Sequence, residues 1–267
     1  MNKLKLTVIA GLFGAMTLPV MADDHSVIST ENINWGMLNP ARGDASPKAA
    51  DLWGDRTKDM ATGMLVKFQK GFSSPPHIHN ITYRGIVIEG LMHNDDPSAA
   101  KMWLPSGSFW IQPAGESHIT AANGEENLIY LEIDSGPYLV EPEDQAFDNG
   151  ERPINVSENN IFWLNANDAN WLDAGNAEIS YLWGKPEAAN GSFVKLPAGF
   201  KGSIESQKDL KAVVVKGNAT YHWNDQKNEK NFSPSSFFSS EIKGKHVIEA
   251  KNEVVLYVKS VGAFNIK

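Results

Sequence analysis

The sequence predicts an all-β protein built from two tandem β-barrels of the jelly-roll type. Its apolar runs are short, rich in Val, Ile, Phe and Trp, and separated by turns of Gly, Pro, Asn and Asp. No long stretch shows the 3.6-residue periodicity of an amphipathic helix. Such a pattern is typical of a sandwich or small barrel. The clearest strand-like runs are Gly85 to Leu91, Asn127 to Ile133, Lys211 to Val215 and Glu253 to Val258.

Three stretches of the first half recur in the second half in the same order, which predicts a duplicated domain. The longest match sets Gly63 to Phe72 against Gly191 to Phe200. We expect an N-terminal barrel over residues 30–142 and a C-terminal barrel over residues 158–267. The other two matches are Asn32 to Trp35 with Asn160 to Trp163, and Leu52-Trp53-Gly54 with Leu182-Trp183-Gly184.

The first 22 residues differ in composition from the rest and read as a secretory signal peptide. Lys3 and Lys5 precede an apolar run over residues 6–20, and cleavage is expected after Ala22. The run is shorter than a membrane span requires. The chain has no cysteine for lipid attachment or for disulfides. These features predict a secreted, periplasmic protein without a membrane anchor.

The charge of the chain excludes one class of partner. The formal net charge is −8, and removal of the two leader lysines makes it more negative. Such a surface repels phosphate backbones, so nucleic acid is not expected as a partner. A small molecule is the expected ligand.

Two histidines separated by one residue form the first candidate site. His77 and His79 lie in a stretch from Gly71 to Gly90 that reads as strand. Side chains alternate across a strand, so both imidazoles project from one face and can reach one metal ion. The alternative is a surface strand with two solvated histidines.

The spacing of this stretch is that of a known motif. It reads Gly71, five residues, His77-x-His79, three residues, Tyr83, six residues, Gly90. It resembles the first motif of the cupin superfamily, in which a glutamate stands at the Tyr83 position.

A second stretch carries the partner motif. It reads Gly107, five residues, Pro113-x-Gly115, two residues, His118, three residues, Ala122. It resembles the second cupin motif, which ends in Asn. Taken together, the two motifs imply a three-histidine variant of a two-domain cupin, with His77, His79 and His118 as ligands of one metal ion.

Three imidazoles leave a divalent ion with open positions, which is typical of a catalytic site. The three-histidine branch of the cupins includes dioxygenases that use ferrous iron, so the resemblance implies such an activity. Export weakens that implication, because imidazole sites outside the cytoplasm favour copper and zinc. The expected cofactor is therefore one divalent ion, with Zn, Fe, Ni, Cu and Mn left open.

Three further residues are candidates for contact with a ligand. Tyr83 is the candidate catalytic residue, as a hydrogen-bond donor to bound substrate or dioxygen; ordinary strand packing is its alternative. Arg84 is a candidate for substrate binding, although alternation predicts that only one of Tyr83 and Arg84 enters the site. Trp110 could line the mouth of the site or belong to the core.

The second half lacks the histidine pair. The duplication places Glu205 and Gln207 opposite His77 and His79, and His246 near His118. A residual second metal site is conceivable, but a scaffold or dimer face is the preferred interpretation. The remaining histidines are expected to be disordered or solvated; they are His25, His93 and His222.

The leading function is metal-assisted conversion, dioxygenase-like or other, of a small carboxylate or dicarbonyl. The alternative is a carrier or sensor that binds a small ligand without converting it. A third interpretation is a purely structural double barrel.

Overall fold

The computed structural model describes residues 24–169, 172 and 176–267. The expected signal peptide, residues 1–22, lies outside the described residues. No helix within the described part of the chain is long and apolar enough to cross a membrane.

The first half of the chain forms thirteen short strands. Single 3-10 turns at Thr30–Asn32, Pro40–Ala45 and Glu143–Gln145 connect some of them. The strands are β1 His25–Ile28, β2 Gly36–Met37, β3 Lys48–Trp53, β4 Thr62–Phe68, β5 His77–His79, β6 Tyr83–Glu89, β7 Leu91–Asp95, β8 Leu104–Pro105, β9 Phe109–Gln112, β10 Ile119–Ala122, β11 Asn127–Ile133, β12 Val140–Pro142 and β13 Ile154–Val156.

A fourth 3-10 turn, Glu158–Asn160, opens the second half of the chain. The strands that follow it are β14 Glu178–Gly184, β15 Ala189–Leu196, β16 Lys201–Ser206, β17 Leu210–Lys216, β18 Ala219–Trp223, β19 Lys230–Phe232, β20 Phe237–Ser240, β21 Gly244–Ala250, β22 Val254–Val261 and β23 Phe264–Ile266.

Each half folds into antiparallel sheets that enclose a core, so the predicted all-β fold of two jelly-roll barrels is confirmed. The N-terminal barrel has a seven-stranded sheet in the order β13-β9-β6-β11-β4-β3-β2, with smaller sheets β10-β7-β8 and β12-β5. The C-terminal barrel has the sheets β1-β20-β17-β22-β15-β14 and β19-β18-β21-β16-β23.

Strand β1 crosses to the other barrel, and strand β13 extends the barrel that it follows. β1 precedes the N-terminal barrel in the chain but pairs with β20 of the C-terminal barrel. β13 follows the N-terminal barrel's last sheet strand and pairs back onto β9. The predicted bounds 30–142 and 158–267 leave both strands outside the barrels that they complete. His25, expected to be disordered, lies in β1, and its ring stacks on that of Trp223 with centroids 4.4 Å apart.

The large sheets pack against each other through a third hydrophobic core. Strand β6 shows how the sequence builds it: Tyr83 and Val87 face the interior of the N-terminal barrel, while Ile86 and Ile88 face the other barrel. A strand buried on both faces carries a nearly continuous apolar run instead of alternation. Phe193 and Val213 are among the residues that meet this face from the C-terminal barrel.

The duplication is visible in matching contacts at this interface. Trp53 Nε1 donates to the Tyr130 hydroxyl at 3.0 Å, and Trp183 Nε1 donates to the Tyr257 hydroxyl at 3.0 Å. The two tyrosine rings lie 5.5 Å apart. The repeated Leu-Trp-Gly stretches therefore place equivalent indoles on both sides of one shared core.

Glu132 is buried at the centre of this interface. Its carboxylate accepts hydrogen bonds from the Tyr257 hydroxyl at 2.7 Å and the Tyr130 hydroxyl at 3.2 Å. Arg84 lies 3.4 Å and Lys259 3.8 Å from the same carboxylate. One cation from each barrel thus lies near the buried carboxylate, and both cations also pair with Asp134 at 2.7 Å.

Candidate metal centre

Short backbone pairings bring the three motif histidines together. His77 pairs with His118 in an isolated antiparallel bridge, through amide-to-carbonyl bonds of 3.1 and 3.0 Å. His79 closes strand β5, which pairs with β12 at Val140. The His-x-His alternation then turns the His77 and His79 side chains to the same side, toward His118.

The three imidazoles form a compact cluster in the N-terminal barrel. One nitrogen from each ring lies within 4.8 Å of the other two, the spacing of ligands around a single ion. His77, His79 and His118 are 8%, 2% and 0% exposed.

Each imidazole is oriented by a backbone carbonyl. The Nδ1 atoms of His77, His79 and His118 lie 2.9, 2.6 and 3.1 Å from the carbonyl oxygens of Pro75, Leu139 and Glu116. Because a carbonyl can only accept, each Nδ1 carries the proton and donates it. That tautomer leaves all three Nε2 atoms unprotonated and able to bind a metal, as in many metal-binding histidines.

Burial also keeps the rings neutral. Burial lowers the pKa of His118 to about 3, with a contribution from the positive charge of His77. Burial likewise lowers the pKa of His79 well below its usual range, and the pKa of His77 is lowered by burial and by the charge of Arg42. Neutral imidazoles are the form that binds metal. The donor set, its spacing and its tautomers therefore fit one divalent ion.

Tyr83 lies beside the cluster and is held by a buried polar chain. Its hydroxyl donates to Asn94 Oδ1 at 2.8 Å and lies 3.3 Å from His118 Nε2. Asn94 donates to Gln112 at 2.8 Å, and Gln112 donates to the Glu116 carbonyl that also orients His118. Burial raises the pKa of Tyr83 far above its usual value. The phenol proton is thus donated to Asn94, and Tyr83, which is 2% exposed, is not among the described residues that line the cavity. Its position fits a role in orienting His118.

Tyr138 is the residue of this site that the sequence did not indicate. Its ring stacks on His79 with centroids 4.4 Å apart, and its hydroxyl lies 3.1 Å from His79 Nε2. Burial raises the pKa of Tyr138 well above the usual value, so the phenol is a proton donor. It follows Pro137 in a loop with no motif, and only its place two residues before β12 could have suggested proximity to β5.

A cavity of about 690 Å³ opens on the histidines. His77, His79 and Tyr138 form part of its wall. Much of the remainder is apolar, contributed by Leu38, Pro40, Pro47, Phe68, Phe72, Pro75, Pro137, Leu139 and Val140. The volume is within the usual range for small-molecule sites.

The structure corrects the expectation that Arg84 binds substrate at the metal. Arg84 points away from Tyr83, as alternation requires, and its guanidinium carbon lies 3.8 Å from the centre of the Trp183 ring. It also donates to Asp134 at 2.7 Å. Arg84 therefore serves the contact between the barrels instead of the cavity.

Trp110 belongs to the core and does not line the cavity mouth. It is 1% exposed and packs flat against Gly85, where a Cβ atom would lie 2.1 Å from the indole ring. Among the described residues, its Nε1 has no hydrogen-bond acceptor at proper geometry. The alternative interpretation of Trp110, core packing, is the one the structure supports.

The residual second metal site is not formed. Ile204 pairs with His246, so Ile204 holds the place that His77 holds opposite His118. The pairing register therefore differs by one residue from the expected register. The Glu205 carboxylate accepts a hydrogen bond from Lys267 Nζ at 3.0 Å, and Gln207 is exposed. Within the described ranges, His77, His79 and His118 are the one group placed to hold an ion.

His246 instead joins a buried hydrogen-bond chain. Its Nε2 meets the Ser240 hydroxyl at 3.0 Å and its Nδ1 the Tyr221 hydroxyl at 3.0 Å. The Tyr221 hydroxyl lies 2.7 Å from His25 Nε2. Through His25 this chain attaches β1 to the second barrel. His93, expected to be solvated, is likewise buried, at 1% exposure.

The buried His246 predicts loss of stability in acid. Burial, with help from the charge of His25, lowers the pKa of His246 to about 3, whereas an unfolded histidine titrates near 6.5. Between these values the unfolded state binds more protons, so the unfolding free energy falls as the pH drops below about 6.5. We expect His246→Gln to flatten the pH dependence by about 1 kcal/mol per pH unit over this window. Urea titrations from pH 7 to 4.5 measure it, and an unchanged slope would contradict the assignment.

Comparisons with known proteins agree with this architecture. A protein of Nostoc punctiforme PCC 73102, provisionally assigned as a dioxygenase, superposes with a TM-score of 0.66 at 14% identity, covering 90% of this chain and 85% of that one. Protein Ylba of E. coli gives 0.61 at 13% identity, covering 88% and 90%. A Bacillus subtilis oxalate decarboxylase with Mn(II) centres gives 0.57 at 11% identity, covering 90% and 78%.

At such low identity the likeness to these neighbours shows a shared fold and no more. A search of curated protein sequences finds no match. A family model described as a domain of unknown function, DUF4437, matches residues 26–267. Since the match spans most of the sequence, the chain belongs to the DUF4437 family.

Proposed function

We propose that the protein is an exported bicupin that binds one divalent metal ion through His77, His79 and His118 and converts a small oxygen-bearing ligand. The observation that carries the proposal is the convergence of three neutral, carbonyl-oriented imidazoles beside a cavity of about 690 Å³. Export is supported by the composition of residues 1–22. The fold neighbours include a protein with Mn(II) centres, and nitrogen donors suit zinc, copper, iron and nickel.

An ion with open coordination positions polarises ligand oxygens as a Lewis acid. The residues near such an ion would have different roles. The carbonyl oxygens of Pro75, Leu139 and Glu116 hold the imidazoles in the tautomer that presents Nε2. When His79 Nε2 is occupied, the Tyr138 hydroxyl loses that acceptor and can donate to a ligand in the cavity. Tyr83, held by its hydrogen bond to Asn94, packs beside His118 with its hydroxyl 3.3 Å from Nε2.

One observation favours the second candidate, a carrier or sensor. Of the described residues that line the cavity, none is Asp or Glu, so no carboxylate there can act as a general base. A conversion must then use a group of the ligand, the metal or a phenol. Binding without conversion needs none of these.

Elemental analysis of protein purified without a nickel column tests the proposal. The expected result is about one divalent ion per chain. Mass spectrometry of copurifying small molecules, followed by incubation of each with metal-loaded protein and dioxygen, separates the two functions. A product supports conversion, whereas saturable binding without product identifies a carrier. Protein that contains no ion and takes up none from Zn(II), Mn(II) or Fe(II) would contradict both.

Tyr138→Phe tests the part assigned to the second phenol. We expect the metal content to stay unchanged, because the imidazoles and their carbonyl partners are intact. Affinity for the copurifying molecule, measured by calorimetry, should fall about tenfold, the worth of one hydrogen bond at a charged site. Loss of the metal would show that Tyr138 is a ligand. An unchanged affinity would show that it only packs against His79.

A further inference from the structure

The cavity beside the histidines is positively charged, although the chain as a whole is acidic. Arg42 and Arg56 contribute to its wall, and no acidic residue in the described part of the chain does. The formal net charge of the chain is −8. An anion is therefore favoured in the cavity over the rest of the surface.

The two arginines differ in their availability. Arg56 donates to the Asp51 carboxylate at 2.7 Å and to the Met37 carbonyl at 3.1 Å, so its charge is neutralised. Arg42 forms no salt bridge with any described residue, and its guanidinium carbon lies 5.6 Å from the centre of the Phe72 ring. Arg42 is thus the unpaired cation of the cavity.

The turn that carries Arg42 is closed by several hydrogen bonds. Asn39 Oδ1 accepts from the amide of Ala41 at 3.1 Å, and Ser46 Oγ accepts from the amide of Asn39 at 2.9 Å. The Leu38 amide donates to the Pro47 carbonyl at 2.8 Å across the base of the turn. These bonds hold the backbone of the turn, and the exposed Arg42 side chain forms part of the cavity wall.

The size and lining of the cavity indicate the nature of the rest of the ligand. A volume of about 690 Å³ would hold on the order of twenty water molecules, far more than a two-carbon dicarboxylate displaces. Besides the histidines and arginines, the wall includes Phe68, Phe72 and Leu139. Burying apolar ligand surface there is favourable.

We propose that the ligand is a carboxylic acid with an apolar body, bound through its carboxylate to Arg42 and through that body to the apolar wall, with an oxygen-bearing group at its far end near the histidines. This proposal names the substrate class of the proposed function. It rests on the proposed function for the oxygen-bearing group that would reach the metal. Guanidinium is suited to the task, since it can donate two parallel hydrogen bonds to one carboxylate.

Calorimetric titration with 4-phenylbutyrate and with its neutral amide, 4-phenylbutanamide, tests the proposal on the metal-loaded protein. We expect the acid to bind more tightly than the amide and more tightly than oxalate. Arg42→Gln should weaken the acid about tenfold and leave the amide unchanged, and Arg42→Lys should be intermediate. The matched control is Arg152→Gln, which removes an exposed arginine paired with Asp148 and should change neither affinity.

Equal affinities of acid and amide, or an acid affinity unaffected by Arg42→Gln, would overturn the proposal. So would tighter binding of oxalate than of 4-phenylbutyrate. Metal content measured on the same samples separates this failure from that of the proposed function. An Arg42 effect in protein without stoichiometric metal would sink the metal function and keep the carboxylate site. Acid binding that is lost in His79→Ala but not in Arg42→Gln would keep the metal function and overturn the carboxylate site at Arg42.

Discussion

His79→Ala is expected to lower the affinity for the divalent ion by more than about 100-fold while the chain stays folded. Altering a residue that merely orients a metal-binding histidine commonly costs 10–100-fold, and removing a ligand costs more. The ion would then be bound by two imidazoles and water. The hydrogen bonds of the His79 ring with the Leu139 carbonyl and the Tyr138 hydroxyl would also be lost. Competition with a chromophoric chelator measures the affinity, and circular dichroism verifies the fold.

The matched control for this prediction is His222→Ala. His222 is half-buried in the C-terminal barrel, away from the cluster, and should retain full affinity. His118→Ala should behave as His79→Ala does, because both Nε2 atoms belong to one group of donors. Equal affinity of His79→Ala and the parent protein would mean that the ion is bound elsewhere.

Glu132→Ala is expected to destabilise the protein by about 3–5 kcal/mol. Two buried hydroxyls would lose their acceptor, and each buried polar group left without a partner costs about 1–3 kcal/mol. These hydroxyls belong to Tyr130 and Tyr257. Arg84 and Lys259 would lose a nearby carboxylate but would keep Asp134, which lies 2.7 Å from each. Guanidinium titration followed by tryptophan fluorescence measures the change.

Because these contacts join the two barrels, the Glu132→Ala transition should also lose cooperativity, with the barrels unfolding at different denaturant concentrations. The control is Glu125→Ala, whose carboxylate is exposed and pairs with Lys70 at the surface. Exposed pairs contribute little, so this variant should stay within about 1 kcal/mol of the parent protein. An equally small effect of Glu132→Ala would refute the role given to the buried carboxylate.

The three histidines could be found from the sequence because local rules place them. His77 and His79 share a strand face by alternation, and His118 follows a turn whose Pro and Gly are recognisable. The repeated Leu-Trp-Gly stretch likewise marks an indole that meets a tyrosine at the same interface in each barrel. Such features depend on a few neighbouring residues.

Other features depend on contacts distant in sequence. Tyr138 reaches His79 across 59 residues from a loop without periodicity. β1 pairs with β20, which no local pattern of the His25 segment indicates. Neither partner could be read from the residues around it.

Arg84 shows that the orientation of a side chain can be predicted within one strand while its distant partner cannot. Alternation predicts that Arg84 faces away from Tyr83, and it does, but the covering Trp183 belongs to the other barrel. The unpaired cation of the cavity is Arg42 and not Arg84. Arg42 lies in the turn between β2 and β3, where the sequence contains no motif. In the second barrel, a register shift of one residue puts Ile204 where the duplication suggested Glu205.

X-ray absorption spectroscopy of the metal-loaded protein, with His79→Ala alongside, tests the central claim most directly. The predicted spectrum shows three imidazole nitrogens at roughly 2.1 Å around one ion, falling to two in the variant. A first shell of oxygen donors, or an imidazole count that does not change in the variant, would contradict the account.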